Sequence, residues 1–166
     1  MTTIARERAE ILLVDEDLFS AGAAAAALEN AGYQVFQAHD RTAALRLARA
    51  QALDLLICDV SLGGQSGLEV CREIRRLPGM MDVPVMFVSS TQVPDIVRRS
   101  HDAGAAYYLR KPLDSEVLID LVGKALWMPH LVQSRLSMHE PAAALVPPPQ
   151  HNVRAAAVQG IWLPLA

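Results

Sequence analysis

The fold of this 166-residue chain is decided by the stretch Leu55-Leu56-Ile57-Cys58-Asp59-Val60-Ser61-Leu62-Gly63-Gly64-Gln65-Ser66-Gly67. Four apolar residues lead directly into the carboxylate of Asp59, and a glycine-rich segment follows. A continuous apolar run bounded by turn signals is typical of a strand that is buried on both faces, as in a parallel sheet. Asp59 would then lie at the carboxyl end of the strand, where open α/β sheets bind their ligands. The pattern predicts a buried strand that ends in an acidic residue at the edge of the sheet where ligands bind.

Strand and helix patterns alternate on both sides of this stretch. The predicted strands cover residues 11–14, 33–38, 55–59, 83–88 and 107–110. The predicted helices cover residues 18–30, 41–50, 67–77 and 95–103, and a fifth begins after its capping residue Asp114. Repeated β-α units imply an α/β fold with a doubly wound, five-stranded parallel sheet, helices on both faces and right-handed crossovers.

Composition narrows the class of protein. Lysine and arginine total 15 against 18 aspartate and glutamate, so the chain lacks the basic character that nucleic-acid binding requires. No apolar run approaches the roughly 20 residues of a membrane helix, and the charged N-terminus does not resemble a signal peptide. The expected location is the cytoplasm, where Cys58 and Cys71 would be reduced residues of the core.

The sequence changes character near residue 128. Residues 9–128 carry the alternating pattern and form the predicted domain, whereas residues 129–166 are rich in proline and alanine. Segments of that composition bury too little apolar surface to offset the entropy of ordering. We expect a C-terminal tail over residues 129–166 that is disordered or loosely docked.

Charged residues gather at the predicted carboxyl edge of the sheet. Asp15 and Glu16 follow the first strand, Asp59 ends the third, Ser89 follows the fourth and Lys111 follows the fifth. Three carboxylates at one place would repel one another, so a cation is expected between them, and oxygen ligands with open positions suit Mg²⁺. Taken alone, the acidic run could simply favour a helix N-terminus, and the lysine could be a solvated side chain.

Residues 9–128 resemble the receiver domain of two-component response regulators. The matching residues, at the spacing of that family, are Asp15-Glu16, Asp59, Gly67, Ser89, Tyr108 and Lys111-Pro112. The resemblance implies a flavodoxin-like receiver fold with strand order 2-1-3-4-5. It also implies a phosphoacceptor protein that catalyses only its own phosphorylation and dephosphorylation, not an enzyme with a separate substrate.

The resemblance assigns a role to each matching residue. Asp59 would accept a phosphoryl group from the phosphohistidine of a sensor histidine kinase or a phosphotransfer protein. Lys111 would pair with the phosphoryl oxygens, Ser89 would donate its hydroxyl to them, and Tyr108 would move inward as the second switch residue. The implied Mg²⁺ ligands are the side chains of Asp15, Glu16 and Asp59 and the main-chain carbonyl of Ser61.

Three residues depart from the family pattern. Gly63 stands where proline is usual, which predicts a more flexible loop after Asp59. Ser89 replaces the commoner threonine but keeps its hydroxyl. Glu16 is longer than the usual aspartate, which alters the expected geometry of the metal site. No departure removes a required functional group, so we expect a competent receiver.

The expected output is phosphorylation-dependent binding of another protein by a single-domain regulator, because residues 129–166 are too few for an ordinary DNA-binding domain. No direct DNA binding is expected. The partner surface would comprise the fourth helix, fifth strand and fifth helix, with Arg98, Arg99, His101, Tyr107 and Tyr108.

Two other classes share parts of this pattern. A small Mg²⁺-dependent phosphohydrolase also uses an aspartyl nucleophile, but would place it after the first strand and require an added cap. A flavodoxin-like cofactor carrier would need to bind a phosphate beside the acidic loop that follows Val14, where like charges repel.

Overall fold

A computed structural model describes residues 8–91 and 95–127, which all belong to one compact unit. The tail expected over residues 129–166 lies outside the described residues. Within the described ranges, none of the helices combines the length and apolar character needed to cross a membrane.

Strands and helices alternate along the described chain, as the sequence predicts. The strands are β1 (Glu10–Val14), β2 (Gln34–Ala38), β3 (Leu55–Asp59), β4 (Val85–Ser89) and β5 (Ala105–Arg110). The helices are α1 (Leu18–Asn30), α2 (Arg41–Ala50), α3 (Gly67–Arg75), α4 (Ile96–Asp102) and α5, which covers residues 115–127. The observed bounds agree with the predicted ones at about half of the ends and differ by one or two residues at the others.

The five strands form one parallel sheet in the order β2-β1-β3-β4-β5, which confirms the predicted doubly wound fold. The central strand, β3, is buried along its whole length. The order reverses between β1 and β3, and ligands of open α/β sheets bind outside the carboxyl ends of the strands at such a point. Asp15 directly follows β1 and Asp59 ends β3, so both acids lie at this point.

Apolar side chains of β3 fill a core on each face of the sheet. Leu56 and Cys58 pack on the side of α2 and α3, while Leu55 and Ile57 pack on the side of α1 and α5. This division follows from the two-residue period of a strand. Burial on both faces explains why β3 is a continuous apolar run and not an alternating one.

Both cysteines are free and fully buried in the same core cluster, as expected. The hydrogen bond with Cys71 and the burial of the thiol raise the pKa of Cys58 well above its ordinary value. Because the thiolate is the reactive form, this thiol acts as a small apolar residue at neutral pH.

Aspartate side chains cap three of the helices. Asp17 accepts hydrogen bonds from two N–H groups at the start of α1, at 3.0 and 3.2 Å. Asp40 caps α2 through the N–H of Ala43, at 2.8 Å, and Asp114 caps α5. Of the acidic run after β1, Asp17 therefore serves the helix end, which leaves Asp15 and Glu16 for the edge of the sheet.

The segment after Asp59 forms a short hairpin. Residues Ser61–Leu62 pair with Gln65–Ser66 in antiparallel fashion, and Leu62 is buried against the core. Gly63 and Gly64 form the turn with φ angles of 55° and 84°, a combination that two-residue hairpin turns require and glycine adopts freely. The glycine pair thus forms the turn of this hairpin, while the predicted flexibility of the loop stays a prediction.

Candidate functional site

Asp15, Asp59 and Lys111 meet at the carboxyl edge of the sheet. The ammonium nitrogen of Lys111 lies 2.6 Å from Oδ2 of Asp15 and 2.5 Å from Oδ2 of Asp59. The side chains are nearly enclosed, with 11% of Lys111, 2% of Asp15 and 7% of Asp59 exposed. One ammonium therefore lies between two buried carboxylates, in the place where the sequence predicts a cation.

The second oxygen of each carboxylate is held by the main chain. Oδ1 of Asp15 accepts the N–H of Asp17 at 3.0 Å, and Oδ1 of Asp59 accepts the N–H of Ser61 at 2.9 Å. Each carboxylate thus accepts a hydrogen bond from a peptide N–H with one oxygen and contacts the ammonium of Lys111 with the other. Contacts on both oxygens fix the rotation of the groups, so their orientation is set before any ligand binds.

Lys111 is placed by the strand that precedes it. Its N–H donates to the carbonyl of Ser89 at 2.9 Å, which continues the β4–β5 pairing by one residue, and its peptide bond to Pro112 is cis. Burial lowers the pKa of Lys111, but hydrogen bonds to Asp15 and Asp59 and their negative charge outweigh it. The net effect raises the pKa above the ordinary 10.5. The side chain is therefore an ammonium ion at neutral pH.

Ser89 ends β4, the strand beside β3, and Tyr108 lies on β5, the next strand beyond β4. The register pairs Asp59 with Val88, so Ser89 stands one residue beyond Asp59 at the same edge. Ser89 is fully buried, and its hydroxyl oxygen accepts the N–H of Thr91 at 3.0 Å. Tyr108 is half-buried on β5 and packs against the core beneath α2, α3 and α4.

Glu16 lies apart from the three central side chains. It is exposed, and its Oε2 lies beside Gly63, 3.2 Å from the position that a Cβ atom would occupy there. Among residues 8–91 and 95–127, no three acidic, histidine or cysteine side chains are grouped closely enough to hold a metal ion. Two enclosed carboxylates nevertheless fit Mg²⁺, which commonly takes one or two from the protein and keeps several waters.

His39 is a neighbour of this site that the sequence did not indicate. Its imidazole Nδ1 lies 2.8 Å from the main-chain oxygen of Asp15. The available signal was its position directly after β2, at the same edge of the sheet as the acids.

Replacing Lys111 with methionine tests the electrostatic role of the ammonium. In metal-free buffer at pH 7, Lys111→Met should lower the free energy of unfolding by about 3 kcal/mol, because it leaves two buried carboxylates without a counter-charge. The raised pKa of Lys111 means that this stabilisation is complete below pH 10.5 and is lost as the pH rises through the higher pKa of the folded state. Urea unfolding of both proteins between pH 7 and 11.5 measures the difference.

The matched control is Lys124→Met, which removes an exposed ammonium paired with Asp120 on α5. This change should leave the unfolding midpoint nearly unchanged, since exposed ion pairs contribute little. Equal stability of the wild type and Lys111→Met at pH 7 would contradict the assigned role.

Known proteins similar to this chain include a sensor histidine kinase and transcriptional regulators. The sensor histidine kinase AruS of Pseudomonas aeruginosa is 37% identical over 117 residues, which cover 69% of this chain and 12% of the kinase. The transcriptional regulatory protein ZraR of Klebsiella oxytoca is 31% identical over 82% of this chain and 30% of its own length. The DNA-binding regulator RpaA of Synechocystis is 34% identical over 66% of this chain and 45% of its own. The chain thus spans less than half the length of these relatives.

Solved structures match the described fold over nearly their whole length. The chemotaxis protein CheY4 of Vibrio cholerae has a TM-score of 0.67 and 25% identity, covering 71% of this chain and 98% of its own. A response regulator from Thermotoga maritima has a TM-score of 0.65 and 30% identity, covering 72% and 98%. Residues 11–123 also match the response regulator receiver domain family, and this range includes the acids, Lys111, Ser89 and Tyr108. The chain therefore belongs to the response regulator receiver domain family.

Proposed function

We propose that this chain accepts a phosphoryl group on Asp59 from the phosphohistidine of a sensor histidine kinase or phosphotransfer protein. The observation that carries the proposal is the contact of Lys111 with Asp59, 2.5 Å long, in an almost enclosed site at the carboxyl edge of the sheet. Asp59 combines a nucleophilic carboxylate with an adjacent fixed cation. An aspartyl phosphoacceptor needs both of these features.

The transfer needs little machinery beyond positioning and charge. One oxygen of Asp59 forms a bond to phosphorus while the phosphorus–nitrogen bond of the donor breaks and the imidazole leaves. Phosphoryl transfer of this kind has a loose transition state, so orientation and charge neutralisation supply most of the catalysis. The Ser61 N–H orients the carboxylate, and Lys111 offers positive charge to the incoming oxygens.

The balance of charge explains why a divalent cation would be required. Asp15 and Asp59 carry one more charge than Lys111 neutralises, and a phosphoryl group adds further negative charge. Asp15, Glu16, Asp59 and the carbonyl of Ser61 would hold Mg²⁺. When bound, this ion supplies the positive charge that offsets the acids and the phosphoryl oxygens. Glu16 would have to turn from its place beside Gly63 to join the site.

Ser89 and Tyr108 would convert phosphorylation into a change of shape. The Ser89 hydroxyl now accepts the N–H of Thr91, at 3.0 Å. A phosphoryl group on Asp59 offers acceptor oxygens, and turning the hydroxyl toward them would shift the segment that leads into α4. Tyr108, on the adjacent strand, would move inward as that segment shifts.

The two ends of α4 differ in how firmly they are held. At its start, Asp95 has a φ angle of 68°, a conformation that costs a non-glycine residue roughly 1 kcal/mol. At its end, the guanidinium of Arg75 donates to the carbonyls of Ala103 and Gly104 and to that of Met81. A movement of α4 would therefore begin at its N-terminal end, which is the end that follows Ser89 along the chain.

The output surface would comprise α4, β5 and α5. Arg98, Arg99 and His101 are exposed on α4, and Tyr107 and Tyr108 are half-buried on β5. A surface built on the moving helix would bind a partner protein differently before and after phosphorylation. Output by a single-domain regulator stays a prediction, as does the absence of DNA binding, because the regulators named above are much longer than the aligned region.

The phosphodonor would dock on the start of α1. A groove of about 430 Å³ opens beside Lys111 between the first turns of α1 and the segment that joins β5 to α5. Phe19 borders this groove with 87% of its surface exposed, and the adjacent Leu18 is 67% exposed. Exposed apolar side chains beside the acceptor suit a protein that must bring its phosphohistidine to Asp59.

Incubation with acetyl phosphate and Mg²⁺ tests the acceptor. Intact mass should show one added phosphoryl group that survives acid and is lost in base, as expected of an acyl phosphate. Asp59→Asn should abolish it, whereas the matched change Asp120→Asn, at an exposed position of α5, should not. Wild-type incorporation in Asp59→Asn would contradict the proposal, and steady turnover of small phosphate esters would support the phosphohydrolase instead.

Replacing Phe19 with serine tests the docking site. With a histidine kinase that phosphorylates the wild-type chain in vitro, Phe19→Ser should slow phosphoryl transfer roughly tenfold, since a lost aromatic anchor weakens an interface by more than 1 kcal/mol. Transfer from acetyl phosphate should be unchanged. Met81→Ser, at an equally apolar exposed position before β4, should alter neither rate. If Phe19→Ser slowed phosphoryl transfer from the kinase and from acetyl phosphate equally, the substitution would have damaged the phosphoacceptor site itself, and the docking role would be refuted.

A further inference from the structure

His39 contacts the main chain of one of the central acids. Its Nδ1 lies 2.8 Å from the carbonyl oxygen of Asp15, and the side chain is half-buried. A carbonyl oxygen can only accept a hydrogen bond, so Nδ1 must carry the proton that is shared. The imidazole is therefore a donor to Asp15.

This bond prolongs the β1–β2 pairing beyond the end of both strands. The regular register ends with Val14 opposite Ala38, after which the N–H of Asp15 donates to the carbonyl of Ala38 at 3.0 Å. His39 then supplies the next bond with its side chain, in place of a main-chain group. Both peptide groups that flank the Asp15 side chain are consequently tied to the end of β2.

We propose that His39 is a positioning residue of the acidic site, which holds the main chain at Asp15 so that the carboxylate of Asp15 stands where a divalent cation binds. This proposal takes only the divalent cation from the proposed function. Residues that orient metal ligands without touching the metal commonly change metal affinity 10- to 100-fold when replaced.

The surroundings of the ring distinguish this role from simple packing. His39 borders a cavity of about 210 Å³, whose far side is formed by Leu62, Gly63 and Gln65 of the hairpin. A side chain that borders open space contributes less to the core than one enclosed by apolar atoms. The hydrogen bond to Asp15 is then the main interaction that a substitution would remove.

Two substitutions separate the donor from the volume of the ring. His39→Leu keeps an apolar side chain of similar size and has no donor, whereas His39→Asn can place an amide N–H near the position of Nδ1. Amide hydrogen exchange of metal-free protein and Mg²⁺ titration by calorimetry give two readouts, neither of which requires phosphorylation. Arg41→Ala serves as the control, because it removes the neighbouring ion pair with Glu73.

In His39→Leu we expect the Asp17 N–H, which donates to Asp15, to exchange roughly fivefold faster. The Mg²⁺ dissociation constant should rise roughly tenfold. His39→Asn should restore both values to within about twofold, and Arg41→Ala should change neither. Wild-type exchange in His39→Leu, or failure of asparagine to restore it in a folded protein, would overturn the inference. A wild-type chain that binds no Mg²⁺ would refute the cation site of the proposed function, while the exchange data would still decide the role of His39.

Discussion

The contact of one ammonium with two buried carboxylates is the interaction on which the site depends. Lys111 follows β5, Asp15 follows β1 and Asp59 ends β3, so a single side chain links three strands of the sheet. Removing two carboxylates from water is costly unless a counter-charge lies close to them. The same arrangement leaves an excess of negative charge that favours cations and disfavours phosphates. The contact of Lys111 with the two carboxylates therefore contributes both to the stability of this edge of the sheet and to the phosphoryl transfer proposed there.

The sheet order makes that contact possible. Because the order reverses between β1 and β3, the acids from these strands face a common opening, and β4 and β5 bring Ser89 and Lys111 to the same edge. Apolar cores on both faces fix the strands, while aspartate caps fix three of the helices. Beyond Ser89 the chain continues to α4, whose start has the left-handed conformation at Asp95.

The sequence predicts the features that arise from local pattern. The apolar run into Asp59 and the capping residues Asp40 and Asp114 were sufficient for the fold, and the positions of Asp15, Asp59 and Lys111 after their strands placed these residues at one edge. The direct contact of Lys111 with both carboxylates was not predicted. The hairpin at residues 61–66 was missed, since strands of two residues have no measurable periodicity. His39 was missed because its role depends on how far β1 and β2 pair, and its position directly after β2 is a weak signal when taken alone. The place of Glu16 beside Gly63 likewise depends on the turn that two glycines form.

Chemical localisation of the phosphoryl group tests the central claim most directly. Borohydride reduces an aspartyl phosphate to homoserine, which peptide mass spectrometry identifies at a single position in the sequence. The claim that the Lys111 ammonium prepares Asp59 as the acceptor predicts homoserine at position 59 in the phosphorylated wild-type protein. Homoserine at position 15, or the 5-hydroxynorvaline that a reduced glutamyl phosphate would leave at position 16, with aspartate intact at 59, would contradict it.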